Sequence, residues 1–377
     1  MIGAPVYLVS TALRCSAGNS VEDLWSDLKE GRRRLVEPPF PLPDDWPWQR
    51  AFRASEPSAD ELGIDRKQLR TMDSQARHAL ITARHAFAGA PTSTSISGAQ
   101  IGLFMGIPAV DEPAPPWSLL EAMHQRPPCL TTEIVLSETP PFAGLSLLNS
   151  SACAHISNTL RLTGPTAAFS PFADAGLQAL VEGALAISEG ECEAALAGAV
   201  APTLTPLRTL QHEHHGWHKM PTRIPGEGAA FTVLSRTSDT PRPVRIQGYA
   251  RGFVPSDRPE ALRVLLGRCL EQAGIRASEV GWCLGPCSSP ESQAAFRAVG
   301  VDLDRCMEGA CHACGELGPA EPVANVLLSY HGLRRGERLQ VTAHGVESRP
   351  LSTRHALVTA SGPEGQYAAL LLAAGHP

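Results

Sequence analysis

Three stretches carry the side chains from which a nucleophile, a base or a metal site could be assembled. Ser150-Ser151-Ala152-Cys153-Ala154-His155 places a thiol two residues before an imidazole. Cys311-His312-Ala313-Cys314 has the spacing of half a metal site, without a second ligand pair at a suitable interval. His212-Glu213-His214-His215-Gly216-Trp217-His218 is denser, yet lacks the His-Glu-x-x-His spacing that sets two ligands and a base on one helix face. A buried cysteine usually behaves as a small hydrophobe, so the first two stretches read as structural. The third reads as a solvated loop, with adventitious metal binding as the alternative. No metal and no cofactor are expected.

The frame that must hold these residues is large. The 377 residues include 32 Lys+Arg and 38 Asp+Glu, a formal net charge of −6, which argues against nucleic acid or an anionic membrane as partner. A chain of this size buries enough surface to fold without disulfides. With 43% hydrophobic and 19% charged residues it is not broadly disordered. Met1–Ser10 shows no signal-peptide pattern and no apolar run is long enough to span a bilayer. Ten dispersed cysteines suggest a reduced, cytoplasmic setting.

Two internal echoes organise the chain. Ser74–Ala88 has helical spacing and leads to the apolar run Ile101–Ile107; Pro259–Ala273 repeats this plan and leads to Val280–Leu284. Gly176–Ile187 then ends in Ser188-Glu189-Gly190-Glu191 before Ala194–Val200. Glu321–Leu333 likewise ends in Arg334-Arg335-Gly336-Glu337 before Leu339–Ala343. A helix handing over to a continuously apolar run predicts a strand covered on both faces. Two copies of such a unit predict an α/β/α/β/α stack, with halves at 1–240 and 241–377 joined through Thr237–Pro243. Val6–Val9 reads as a strand, and Ser20 with Asp23 as the start of a helix reaching about Lys29. The Pro-rich stretches Glu37–Pro47 and Pro108–Pro141 read as surface loops or lids.

Five segments together resemble one family. Cys15–Gly31, Gly164-Pro165-Thr166 with Gly176–Leu180, and Gly226-Glu227-Gly228-Ala229-Ala230 come in the order found in β-ketoacyl synthases. So do His312, Gly315, Gly318 and Glu321, followed by Gly362, Gly365 and Ala368–Leu372. The resemblance implies the five-layer thiolase-like fold built from two duplicated halves. It also implies a chemistry: a cysteine at a helix N-terminus carries the acyl chain as a thioester, assisted by two histidines and a lysine.

The family positions fall on unexpected residues. Counting from Gly164-Pro165 and back from Gly176, the nucleophile's place is Ala173, whose methyl cannot form a thioester. The first histidine's place is Pro286, which offers no proton, and no histidine stands between His218 and His312. The lysine's place, five residues before the second histidine, is Met307. His312 is then the surviving member. The aromatic gate of the C-terminal turn is Pro363, between Gly362 and Gly365, which are assigned to substrate binding.

Such a chain resembles the chain-length-factor subunits that accompany an active synthase in polyketide, polyene or fatty-acid assembly. The implied partners are an active ketosynthase subunit, or a second copy of this chain, and an acyl carrier protein. Two alternatives stay open: a malonyl decarboxylase or acyl hydrolase using His312, and an acyl-binding or regulatory homodimer. Acyl-chain length is not readable from the sequence.

Overall fold

The computed structural model describes residues 4–91, 97–108, 124, 148, 150–217, 223–253 and 258–375. The first half opens with β1 (Val6–Cys15) and α1 (Val21–Glu30). The short strands β2 (Leu35–Val36) and β3 (Ala51–Phe52) pair with each other, and the one-turn helices α2 (Ala59–Leu62) and α3 (Arg66–Leu69) follow. Then come α4 (Ser74–Ala88), β4 (Ile101–Gly106), α5 (Ser151–Leu160), β5 (Thr166–Phe169) and α6 (Asp174–Glu189). β6 (Ala194–Val200), α7 (Pro206–His214) and β7 (Gly228–Ser235) close the half.

The second half runs β8 (Val244–Phe253), α8 (Arg258–Ala273), β9 (Val280–Leu284), α9 (Pro290–Val299), β10 (Cys306–Met307) and the one-turn α10 (Cys311–Cys314). It ends with α11 (Ala320–Arg335), β11 (Glu337–Thr342), β12 (Gly345–Pro350), β13 (His355–Ser361) and β14 (Gln366–Ala374).

Local sequence explains the boundaries. Ser20 accepts from the backbone N–H of Asp23 at 3.0 Å, and Gly31, at φ +63°, turns the chain out of α1. Asp73 caps α4 through the N–H of Ala76 at 2.6 Å. β4, β6 and β9 are buried along their whole lengths, as strands sandwiched between helices must be.

The large sheet has the order β10-β9-β13-β14-β8-β1-β7-β6-β4-β5. Outward from its centre, β1-β7-β6-β4-β5 and β8-β14-β13-β9-β10 share one pattern: two antiparallel contacts, then two parallel ones. The halves meet along the seam Val6↔Ile246, Tyr7↔Arg245 and Leu8↔Val244. Helices α6 and α11 lie between the two half-sheets in a shared core that draws on both. Separate outer cores hold α4 and α5 on one side and α8 and α9 on the other. This is the layered α/β/α/β/α arrangement.

One expected strand is misplaced. Leu339–Ala343 does not enter the large sheet; β11 pairs only with β12 in a separate hairpin. The partner of β6 in the repeat is β13, which follows that hairpin. β11 is interrupted by Glu337, Arg338 and Gln340 instead of being apolar throughout, and only Leu339 is fully covered, while Val341 is exposed. The 37–47 stretch lies at the surface, pinned by Phe40, Leu42 and Trp46 against Trp48. The other Pro-rich loop falls almost wholly outside the described residues.

Candidate functional site

The N-termini of the two central helices converge on one cleft. Their approach depends on Gly176, where a Cβ would fall 2.0 Å from the Pro319 carbonyl oxygen. Ala173 directly precedes α6 and Pro319 directly precedes α11, so the positive ends of both helix dipoles lie at the same region. An inner recess of about 50 Å³ is lined by Phe172, Ala173, Pro286 and Glu316, among others. Arg223, Glu321 and Pro363 line both this recess and an outer vestibule of about 620 Å³.

Glu316 is the best-anchored group in the cleft. Gly315, at φ +75°, ends α10 with no room for a side chain: a Cβ would sit 2.6 Å from the Ile224 carbonyl oxygen. The Glu316 N–H then donates to Ile224 O at 2.8 Å, and its carbonyl accepts from Gly226 N at 3.0 Å. The Gly226-Glu227-Gly228 turn thus clamps this residue. Its carboxylate pairs with the buried Arg208, accepts from the Gly318 N–H at 3.0 Å and lies 3.5 Å from His212 Nε2. Burial pushes the Glu316 carboxyl up, but Arg208 and His212 outweigh it and hold its pKa well below the usual carboxylate range.

Glu321 is treated in the opposite way. Burial, and then the charge of Glu316, push its carboxyl up to about 8. The cleft therefore holds one ionised and one protonated carboxyl at neutral pH. Burial depresses the pKa of His212, while its contact with Glu316 works the other way. Arg208 and Arg223 stack over Trp217 at 6.0 and 5.2 Å, and Phe172 meets His215 edge-on at 5.7 Å. Arg258 ties the C-terminal turn to the vestibule by donating to Pro363 O at 2.7 Å.

The structure brings some sequence candidates together and separates others. Ala173, Pro286 and Pro363 share the recess, and Gly362 lines the vestibule; Gly365 lines neither. Met307 is buried in β10, away from both linings. His312 is exposed on α10 and lines neither part; Glu316, four residues on, enters the recess instead. The His212 stretch is not a solvated loop: His212 is fully buried near the end of α7 and packs on Trp48 and Trp217, while His215 lines the vestibule. Its density of rings was the available signal for Arg208, His212 and Trp217. Cys153 is buried in α5, where desolvation lifts its thiol to about 11, as a structural residue would be.

Cys311 is the cysteine that reaches the vestibule among the described residues. Its Sγ lies 3.7 Å from Glu308 Oε2. Burial, then the nearby Glu321 and Glu308, raise its pKa well above the ordinary value, so it is held as a thiol and is a poor nucleophile.

The family model for the β-ketoacyl synthase N-terminal domain matches residues 4–240. The chain belongs to the β-ketoacyl synthase family. Erythronolide synthase EryA3 of Saccharopolyspora erythraea is 25% identical over 310 residues, covering 74% of this chain and 9% of that protein. Pikromycin polyketide synthase component PikAII of Streptomyces venezuelae is 25% identical over 320 residues, covering 73% and 8%. The chain thus spans less than a tenth of either relative. The oxazolomycin ketosynthase domain OzmH KS7 of Streptomyces albus JA3453 superposes with a TM-score of 0.75 at 19% identity, over 99% of this chain and 75% of that one. The thiolase-like fold follows. No helix among the described residues is long and apolar enough to cross a membrane.

Proposed function

We propose that this ketosynthase-like chain is a non-catalytic subunit of the chain-length-factor type, working beside an active β-ketoacyl synthase in polyketide, polyene or fatty-acid assembly. The observation that carries the reading is Ala173. It stands at the N-terminus of α6, on the cleft, where a thioester-forming thiol would need to be. Its neighbours point the same way: Pro286 stands on the cleft wall without a proton to give. If Glu316 takes the second histidine's place, the lysine's place moves to Cys311. The recess of about 50 Å³ shares Arg223, Glu321 and Pro363 with the larger vestibule. Acyl carrier protein would then load the partner, and this chain would shape the space the product grows into.

The test is intact mass spectrometry after incubation with acyl carrier protein charged with acyl and malonyl groups. The chain alone should gain no acyl mass, while co-expression with a complete synthase should yield a one-to-one complex. A stable acyl adduct on the isolated chain, at Cys311 or elsewhere, would overturn the reading.

One observation favours a second reading, a stand-alone hydrolase or decarboxylase. Two neighbouring carboxyls with pKa values driven apart are the arrangement of an acid–base pair. In that reading Glu321, not the exposed His312, is the working acid. Turnover of malonyl or acyl carrier protein by the pure chain, abolished in Glu321→Gln and retained in His312→Ala, would support it.

A further inference from the structure

We infer that Cys283, Cys287 and Cys306 form a binding site for one soft d10 cation of the zinc class, on the far side of the loop that walls the cleft. The three sulfurs lie within 4.8 Å of one another. A metal–sulfur distance of about 2.3 Å places thiolates about 3.8–4.0 Å apart, so each sulfur need move by at most about half an ångström. Thiolate is the ligand that selects such cations over magnesium or calcium.

The fold makes this meeting specific. Cys283 and Cys306 are directly paired across the parallel strands β9 and β10, so their side chains leave the sheet on one face. The chain then turns at Gly285, with Cys287 N donating to Gly285 O at 2.6 Å, and brings the third thiol back over that pair. Buried thiols alone would read as apolar filling, and Cys283 and Cys287 do belong to the outer core. Cys306 differs. It is half-buried on the terminal strand of the sheet, which gives a cation a route in and leaves a coordination position for water. Three thiolates around a divalent ion carry one net negative charge; the Asp302 carboxylate and the Arg338 guanidinium both lie within electrostatic reach of Cys306, the first disfavouring that charge and the second offsetting it.

The site is separate from the cleft but joined to it by one residue. Cys287 follows Pro286, which lines both recess and vestibule, and precedes Ser288 of the vestibule wall. A bound ion would fasten this shortened loop to the sheet edge and fix the wall from behind. The inference does not depend on the proposed function.

The experiment uses the whole chain, fully reduced. Zn²⁺ is titrated against a chromophoric chelator, and Cd²⁺ is followed by thiolate charge-transfer absorbance. One equivalent should bind, and Zn²⁺ should raise the melting temperature. Cys306→Ser should weaken binding by roughly a hundredfold or more and abolish the thermal shift. Cys287→Ser should do the same, and Cys192→Ser, in the other half, should change neither. Cys306 is partly exposed on an edge strand, so its variant tests the site even if Cys287→Ser fails to fold. Absence of saturable one-to-one binding overturns the inference. So does equal affinity in Cys306→Ser, or a reduced chain that binds nothing after isolation with two of these cysteines in a disulfide.

Discussion

At the scale of single residues, the recess is defined by Ala173 and Glu316, which both line it. A thiol placed at residue 173 would sit at the N-terminal end of α6, whose dipole favours a thiolate. Ala173→Cys should therefore accept an acyl group that intact mass spectrometry can detect. It should still condense at least about a thousandfold more slowly than a full synthase, because neither Pro286 nor the ionised Glu316 can supply the missing proton transfers. The Arg208–Glu316 pair is buried on both sides. Arg208→Met strands a carboxylate in a low-dielectric site and should cost about 3–5 kcal/mol in urea unfolding. Replacing both partners by apolar residues, Arg208→Met with Glu316→Leu, should recover most of that loss.

At the scale of elements, backbone contacts decide which side chain reaches the cleft, and these contacts limit what the sequence reveals. Ala173 was legible because Gly164-Pro165 and Gly176 bracket it without a gap. Glu316 was not: between Cys311 and Gly318 the one-turn α10 and the left-handed Gly315 set which side chains point inward, and His312 turns to solvent. The hairpin β11–β12 was hidden for a related reason, since Leu339 and Val341 at alternate positions resemble a core strand although only Leu339 is covered. The Cys283–Cys306 pair depends on strand adjacency, which no local spacing encodes. Gly226 provides a test of the clamp on Glu316. A Cβ there would lie 2.2 Å from the Cys314 carbonyl oxygen, so Gly226→Ala should destabilise the fold by about 2–4 kcal/mol. The same change at Gly267, inside α8 with nothing near its missing Cβ, should instead stabilise by up to about 1 kcal/mol. Thermal melts of the two variants should move in opposite directions.

At the scale of the whole molecule, duplication puts the N-termini of two equivalent helices, α6 and α11, at one place between the half-sheets, so charged groups there titrate against the global fold. Glu316 and Glu321 have opposite signs in this respect. Glu316, with its folded pKa depressed, adds stability that is present above the unfolded value and is lost as pH falls through its folded pKa. Glu321, raised to about 8, adds stability that is complete below the unfolded value and is lost as pH climbs toward 8. Between about pH 4.5 and 8 the unfolded chain ionises this carboxyl while the folded chain keeps it protonated. Glu321→Gln removes that penalty without adding a charge. The variant should match the wild type near pH 4.5 and become progressively more stable than it above that, by on the order of 4 kcal/mol at pH 8. Urea unfolding of both proteins across this range measures the difference directly, and a flat difference would mean that Glu321 is ionised in the folded cleft.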